Sequence, residues 1–164
     1  MGTSTNGQLC YGIPFGADYE FPWDIEGFEY GFEDWWFRKI CGYKEPFELY
    51  AETKTGYIDD IIPSREKIDE YHKHRRDFEK DNPAPVKVVN YCSVECPMYI
   101  IAIPDTFKNN LRGYPEEIEM SDLYVSNHHH IIITAFCEKY LRSDNEWCEF
   151  PDMEPRWYLT SYWG

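Results

Sequence analysis

Apolar and polar positions follow two distinct rhythms along this chain. Residues 7–15, "GQLCYGIPF", alternate well enough for a first strand, which Pro14 is expected to end. "VKVVNYC" (86–92) and "PMYIIAIP" (97–104) are β-rich runs separated by a few residues, and this predicts an antiparallel hairpin. The second run is apolar on both faces, which places it centrally in a sheet with a helix over one side. "PRWYLTSYWG" at the end of the chain reads as a C-terminal strand.

Helical spacing is clearest in residues 63–83. Ile68, Tyr71, Arg75 and Phe78 form a narrow stripe on a highly charged body, with Ser64 as N-cap and Pro83 and Pro85 stopping the helix. This segment carries six of the chain's 16 basic residues. A second helix starts after Ser126, with Ile132, Ile133, Phe136, Cys137, Tyr140 and Leu141 facing the core. Residues 32–42 predict a shorter helix closed by Gly42, residues 45–50 a brief strand or ordered loop, and 105–122 a loop. Gly16, Pro22, Gly27 and Gly31 break the stretch between the first strand and that short helix. Together the pattern predicts one α+β domain over 1–164, a mainly antiparallel sheet of about four strands with two main helices.

Composition adds that this pattern belongs to a packed protein. Hydrophobic residues make up 43 % of the 164 and aromatics 18 %, ample for a core despite a net charge of −14. With 30 acidic against 16 basic residues, the summed field repels nucleic acid and anionic membranes and attracts basic protein surfaces. No apolar run approaches the roughly 18 residues of a membrane span, and the N-terminus lacks the pattern of a signal peptide. "MGTSTN" departs from a myristoylation site at Asn6. The six cysteines are therefore expected to be reduced thiols of a cytoplasmic protein, most of them buried.

Candidate chemistry is sparse. His128, His129 and His130 are consecutive, so on a helix they point about 100° apart and cannot converge on one metal ion. His72 and His74 fall on different helix faces. Cys92 and Cys96 flank the hairpin turn at a spacing unlike a zinc knuckle, and Cys137 and Cys148 do not complete a recognisable ligand set. There is no nucleophile elbow, phosphate-binding loop or dinucleotide glycine fingerprint, and carboxylate pairs arise by chance in an acidic chain. No catalytic residue, metal or cofactor is assigned, and the expectation is a non-enzymatic protein.

The most unusual stretch is residues 16–36, "GADYEFPWDIEGFEYGFEDWW". Seven carboxylates and eight aromatics stand together with no Lys or Arg, and the first basic side chain of the chain is Arg38. One reading packs these aromatics on the sheet and leaves the acids in water. The other treats the segment as a binding surface, because Trp and Tyr on ordered irregular backbone make interface anchors and the carboxylates steer a basic partner. Carboxylates also present guanidinium groups with the bidentate acceptors that phosphates offer. On that reading Asp24, Glu26, Glu29, Glu33 and Asp34 carry the charge, Trp23 and Trp35 are the anchors, and the acidic stretch 143–155 assists.

At "MGTSTNGQLCYGIPF", "PVKVVNYCSVECPMYIIAIP" and the terminal "WYLTSYWG", the chain resembles small acidic proteins encoded by tailed bacteriophages and prophages. The resemblance runs from end to end and implies a context rather than a chemistry. Proteins of that kind act in the host cytoplasm, often by binding and antagonising host machinery. The sequence thus predicts an inhibitor of a bacterial defence complex, of anti-CRISPR or anti-restriction type, that competes with nucleic acid for a basic surface. Two other readings are a small-ligand or nucleotide-sequestering module using the basic helix, and a structural phage protein that assembles as a homo-oligomer through its aromatics.

Overall fold

The computed structural model describes residues 5–17, 19–25, 31–44, 65–93, 97–111, 114, 116–141 and 154–163. The fold is α+β with a mostly antiparallel sheet, and its residues gather into two compact units. One unit comprises Met1–Glu26 and Pro85–Gly164, the other Gly27–Ala84.

The first unit holds the sheet, β1 (Thr5–Phe15), β2 (Lys87–Ser93), β3 (Pro97–Ala102), β4 (Lys108–Asn110) and β5 (Arg156–Trp163), and a short helix after β1, α1 (Pro22–Ile25). β2 and β3 form the expected hairpin, with Val89 opposite Ile100. β1 pairs antiparallel with β5 on one side, from Thr5 opposite Trp163 to Gly12 opposite Arg156. On its other side it meets β3 near its C-terminal end and β4 near its start. β2 runs parallel to β5 where Cys92 and Ser93 meet Tyr162 and Trp163. The ladder β1–β5–β2–β3 therefore returns to β1, and closure of this kind removes exposed edges.

Two expectations are corrected here. The sequence placed the end of the first strand at Pro14, yet β1 continues through Phe15 and pairs Pro14 with Ile100. Pairing with β5 ends at Gly12, so beyond it β1 has a neighbour on one side only, and a residue lacking an N–H is tolerated there. The expected loop 105–122 contains β4, making five strands. Between β3 and β4 a 3-10 turn, Pro104–Thr106, dislocates the ladder. Buried Thr106 bridges the gap: its Oγ1 accepts from Tyr11 N at 3.0 Å and donates to Ile103 O at 2.7 Å.

Alternation divides the side chains of this sheet. Cys10, Val89, Ile100 and Ala102 form one buried cluster, joined by Tyr91, Phe107 and Tyr158. On the opposite face Ile13 and Ile101 stand side by side and are fully buried. Tyr11 shares that outer face, and its hydroxyl lies 3.5 Å from His130 Nδ1 in the first turn of α4 (Asn127–Tyr140). α4 is capped as expected by Ser126, whose hydroxyl accepts from His129 N, and it buries Ile133, Phe136 and Cys137.

The second unit is built on aromatic packing. α2 (Gly31–Trp35) runs into a π-helical turn, Trp36–Ile40, and Gly42, at φ +72°, ends it as predicted. α3 (Arg65–Asp81) is the predicted charged helix. Phe78 of its apolar stripe meets Tyr43 at 4.8 Å and Phe37 at 6.3 Å between ring centroids. Trp36 Nε1 donates to Asn82 O at 3.3 Å, just beyond the end of α3. The proposed Ser64 cap and the segment 45–50 lie outside the described residues.

Candidate functional site: an acidic, apolar surface

The residues expected to form a binding surface divide sharply. Trp23 is buried and stacks on Phe21 at 4.6 Å with 12° between the ring planes. Phe21 is itself fully buried and touches Phe15, Tyr19 and Tyr99. The Tyr19 hydroxyl donates to the Leu141 carbonyl oxygen at the end of α4. Residues 19–23 are thus a core segment, and Trp23 has no ring face to offer a partner.

Trp35 is likewise buried, and Asp34 is 1 % exposed. Asp34 Oδ2 lies 3.2 Å from Arg38 Nη1 one turn later, so this carboxylate is engaged by the first base of the chain. Three members of the expected site, Trp23, Trp35 and Asp34, are therefore buried within this fold rather than exposed. Asp24 and Glu33 remain exposed, whereas Glu26 and Glu29 lie outside the described residues. Burial raises the Asp24 carboxyl above its ordinary value, and a backbone hydrogen bond from Phe21 opposes that rise. Of the assisting stretch 143–155 only Glu154 and Pro155 are described. The Glu154 carboxyl is held below its ordinary value by Arg156, at 2.6 Å.

An acidic surface with uncovered apolar groups does exist, further along the chain. Between β4 and α4, Tyr114, Glu116, Glu117, Ile118, Glu119, Met120, Asp122 and Tyr124 are all exposed, and residues 114–124 contain no Lys or Arg. This strap is fastened from both ends of a short 3-10 turn, Met120–Leu123. Glu119 and Asp122 cap that turn reciprocally, each carboxylate accepting from the other residue's end of the turn. Asp122 Oδ2 also lies 3.9 Å from Lys108 Nζ on β4, and Trp157 Nε1 on β5 donates to Leu123 O at 3.2 Å.

Those two attachments fix where the strap lies. Lys108 stands opposite Leu9 in the β4–β1 register, and Leu9 opposite Leu159 in the β1–β5 register. The three side chains form one row across the outer face, with Trp157 and Tyr11 in the next row but one. Leu159 is 80 % exposed, Met120 83 % and Tyr124 76 %. The strap and the Leu9–Leu159 row therefore border one surface, apolar in its knobs and negative around them.

Among the described residues, other chemistry-bearing side chains do not gather. His128 and His130 are exposed and His129 half-buried, as expected of consecutive helical positions. Among the described residues no group of three or more His, Cys, Asp or Glu could hold a metal ion. Cys10, Cys41, Cys92 and Cys137 are free thiols, and Cys96 and Cys148 lie outside the described residues. Burial pushes the Cys10 thiol up to about 11 against the Lys87 charge, and Cys137 up to about 12. Thiols so poised are protonated and unreactive at neutral pH. No helix among the described residues is long and apolar enough to cross a membrane.

No protein-family model, curated protein or solved structure matches this chain. Its function is therefore read from the chemistry of this surface.

Proposed function

We propose that this chain is a non-enzymatic binding protein that engages a basic protein surface and competes there with nucleic acid. The phage resemblance suggests the setting, a bacterial complex that handles nucleic acid for defence, with this chain as its inhibitor. One observation supports the reading above the rest. Exposed acids at residues 116–122 are interspersed along the chain with apolar side chains that the fold leaves uncovered. Exposed Met, Tyr and Leu grouped beside polar residues mark an interaction surface, whereas acids alone would serve only to solvate it.

The net charge of −14 adds a long-range attraction that speeds encounter with a cation-rich partner. Glu and Asp at such a surface occupy Arg and Lys side chains that otherwise hold phosphates.

The test is capture from a bacterial lysate on the immobilised full chain, with washes at low and then high salt and identification of what is retained. A basic nucleic-acid-binding complex held at low salt and released at high salt is the expected result, because screening weakens exposed ion pairs. Retention of nothing, or only of proteins indifferent to salt, overturns the reading.

A further inference from the structure

We infer that the partner contact is the strap 114–124 together with the Leu9–Leu159 row, and that its occupant is a basic amphipathic protein element. Such an element carries Lys or Arg beside apolar side chains on one face. This rests on the binding reading above and specifies both its location and the chemistry of its partner.

Two kinds of group converge at this place. Glu116 and Glu117 are exposed and have no ion-pair partner among the described residues, whereas Glu119 and Asp122 are committed to the turn and to Lys108. The strap thus separates its acids into two that hold it in shape and two that are available to an incoming cation. Ile118 and Met120 lie between these acids along the chain and Tyr124 follows them, all exposed, and Leu159 shares a row of the sheet with the Lys108 that Asp122 meets. An occupant bearing charge alone would leave these apolar groups in water. An apolar occupant without charge would strand Glu116 and Glu117 beside a dry contact, at the cost of desolvating them.

The attachments add preorganisation. The Trp157–Leu123 hydrogen bond and the reciprocal Glu119–Asp122 cap hold the strap before a partner arrives, which lowers the ordering cost of binding. A second copy of this chain is a poor occupant, since both would bring the same acids and a charge of −14 to the contact. Nucleic acid is repelled for the same reason. A basic protein element answers both features at once.

The experiment titrates the full chain with two labelled peptides of equal positive charge, followed by fluorescence anisotropy. One is an amphipathic Leu/Arg helix and the other is oligoarginine, which lacks apolar side chains. The amphipathic peptide is expected to bind at least about tenfold more tightly. Glu116→Lys with Glu117→Lys should weaken both peptides. Met120→Ser with Tyr124→Ser should weaken only the amphipathic one, bringing it to the oligoarginine level. Asp24→Lys with Glu33→Lys makes the same change in net charge outside the residues of the strap and should leave the preference for the amphipathic peptide intact.

These side chains are exposed, so circular dichroism and melting temperature should match those of the parent and exclude misfolding as the cause. Equal affinity for both peptides, or equal loss with the reversals at residues 24 and 33, overturns the strap as the contact while leaving general acidic binding standing. Binding of neither peptide overturns both the strap and the binding reading.

Discussion

A methyl group on Gly12 would lie 2.3 Å from the Ile101 carbonyl oxygen and 2.6 Å from Ile100 Cγ2. The first of these is backbone in the centre of the closed sheet, so the neighbours cannot move aside. Gly12→Ala is expected to cost about 3 kcal/mol or more, whereas Gly7→Ala, with nothing within 4 Å of the new carbon, should stay within about 0.5 kcal/mol. Urea denaturation of the two variants makes the comparison, and equal midpoints would contradict the close approach. The thiols give a second prediction. Native Cys10 and Cys137 titrate at about 11 and about 12, against 9.0 for an ordinary thiol. Above pH 9 the unfolded chain therefore releases protons that the native state retains, and stability falls from pH 9 towards 11 and 12. Below pH 9 both states keep these protons and the contribution is constant. Urea midpoints should drop between pH 9.0 and about pH 11, and drop less in Cys137→Ala; an equal drop would contradict burial as the cause. Residue type alone left two readings of residues 16–36 open. Trp and Phe at high density mark cores and interfaces equally, and Trp23 and Trp35 proved to be core because Phe15, Phe21 and Tyr99 already form an aromatic bed in one unit and α2 turns its apolar side inward in the other.

At the scale of elements, sequence pattern carried most of the fold. The β2–β3 hairpin, the Ser126-capped helix, the charged helix α3 and the stop at Gly42 all follow from period and punctuation. β4 escaped because three polar residues, Lys108–Asn110, have no apolar alternation to betray them. The strap escaped for a related reason. Its apolar residues follow neither a two-residue nor a helical period, and its position is set by Lys108 and Trp157, which are distant in sequence. The acids between Tyr114 and Tyr124, unrelieved by any Lys or Arg, were the available signal, overshadowed by the richer aromatics of residues 16–36. The β3–β4 dislocation yields a prediction at this scale. Thr106→Val keeps the shape but removes the hydroxyl that serves Tyr11 N and Ile103 O, leaving both without that partner at a cost of about 2–3 kcal/mol. Thr106→Ser should restore most of the loss, as read from thermal denaturation. If Val and Ser behave alike, the hydroxyl bridge contributes nothing to joining β3 and β4.

For the whole molecule, charge and surface act together. A closed sheet with few open edges suits a protein that binds through side chains rather than by adding a strand, and the acid excess orients the approach of a cationic partner. The central claim is that this chain and nucleic acid compete for one basic surface. The most direct measurement takes the complex captured from lysate, supplies it with labelled duplex DNA, and follows DNA binding as this protein is added at fixed salt. The account predicts that DNA is displaced in proportion to the protein bound, with no species containing both, and that reversal of Glu116 and Glu117 to Lys abolishes the displacement. A stable ternary complex, with DNA affinity unchanged at saturating protein, would contradict it.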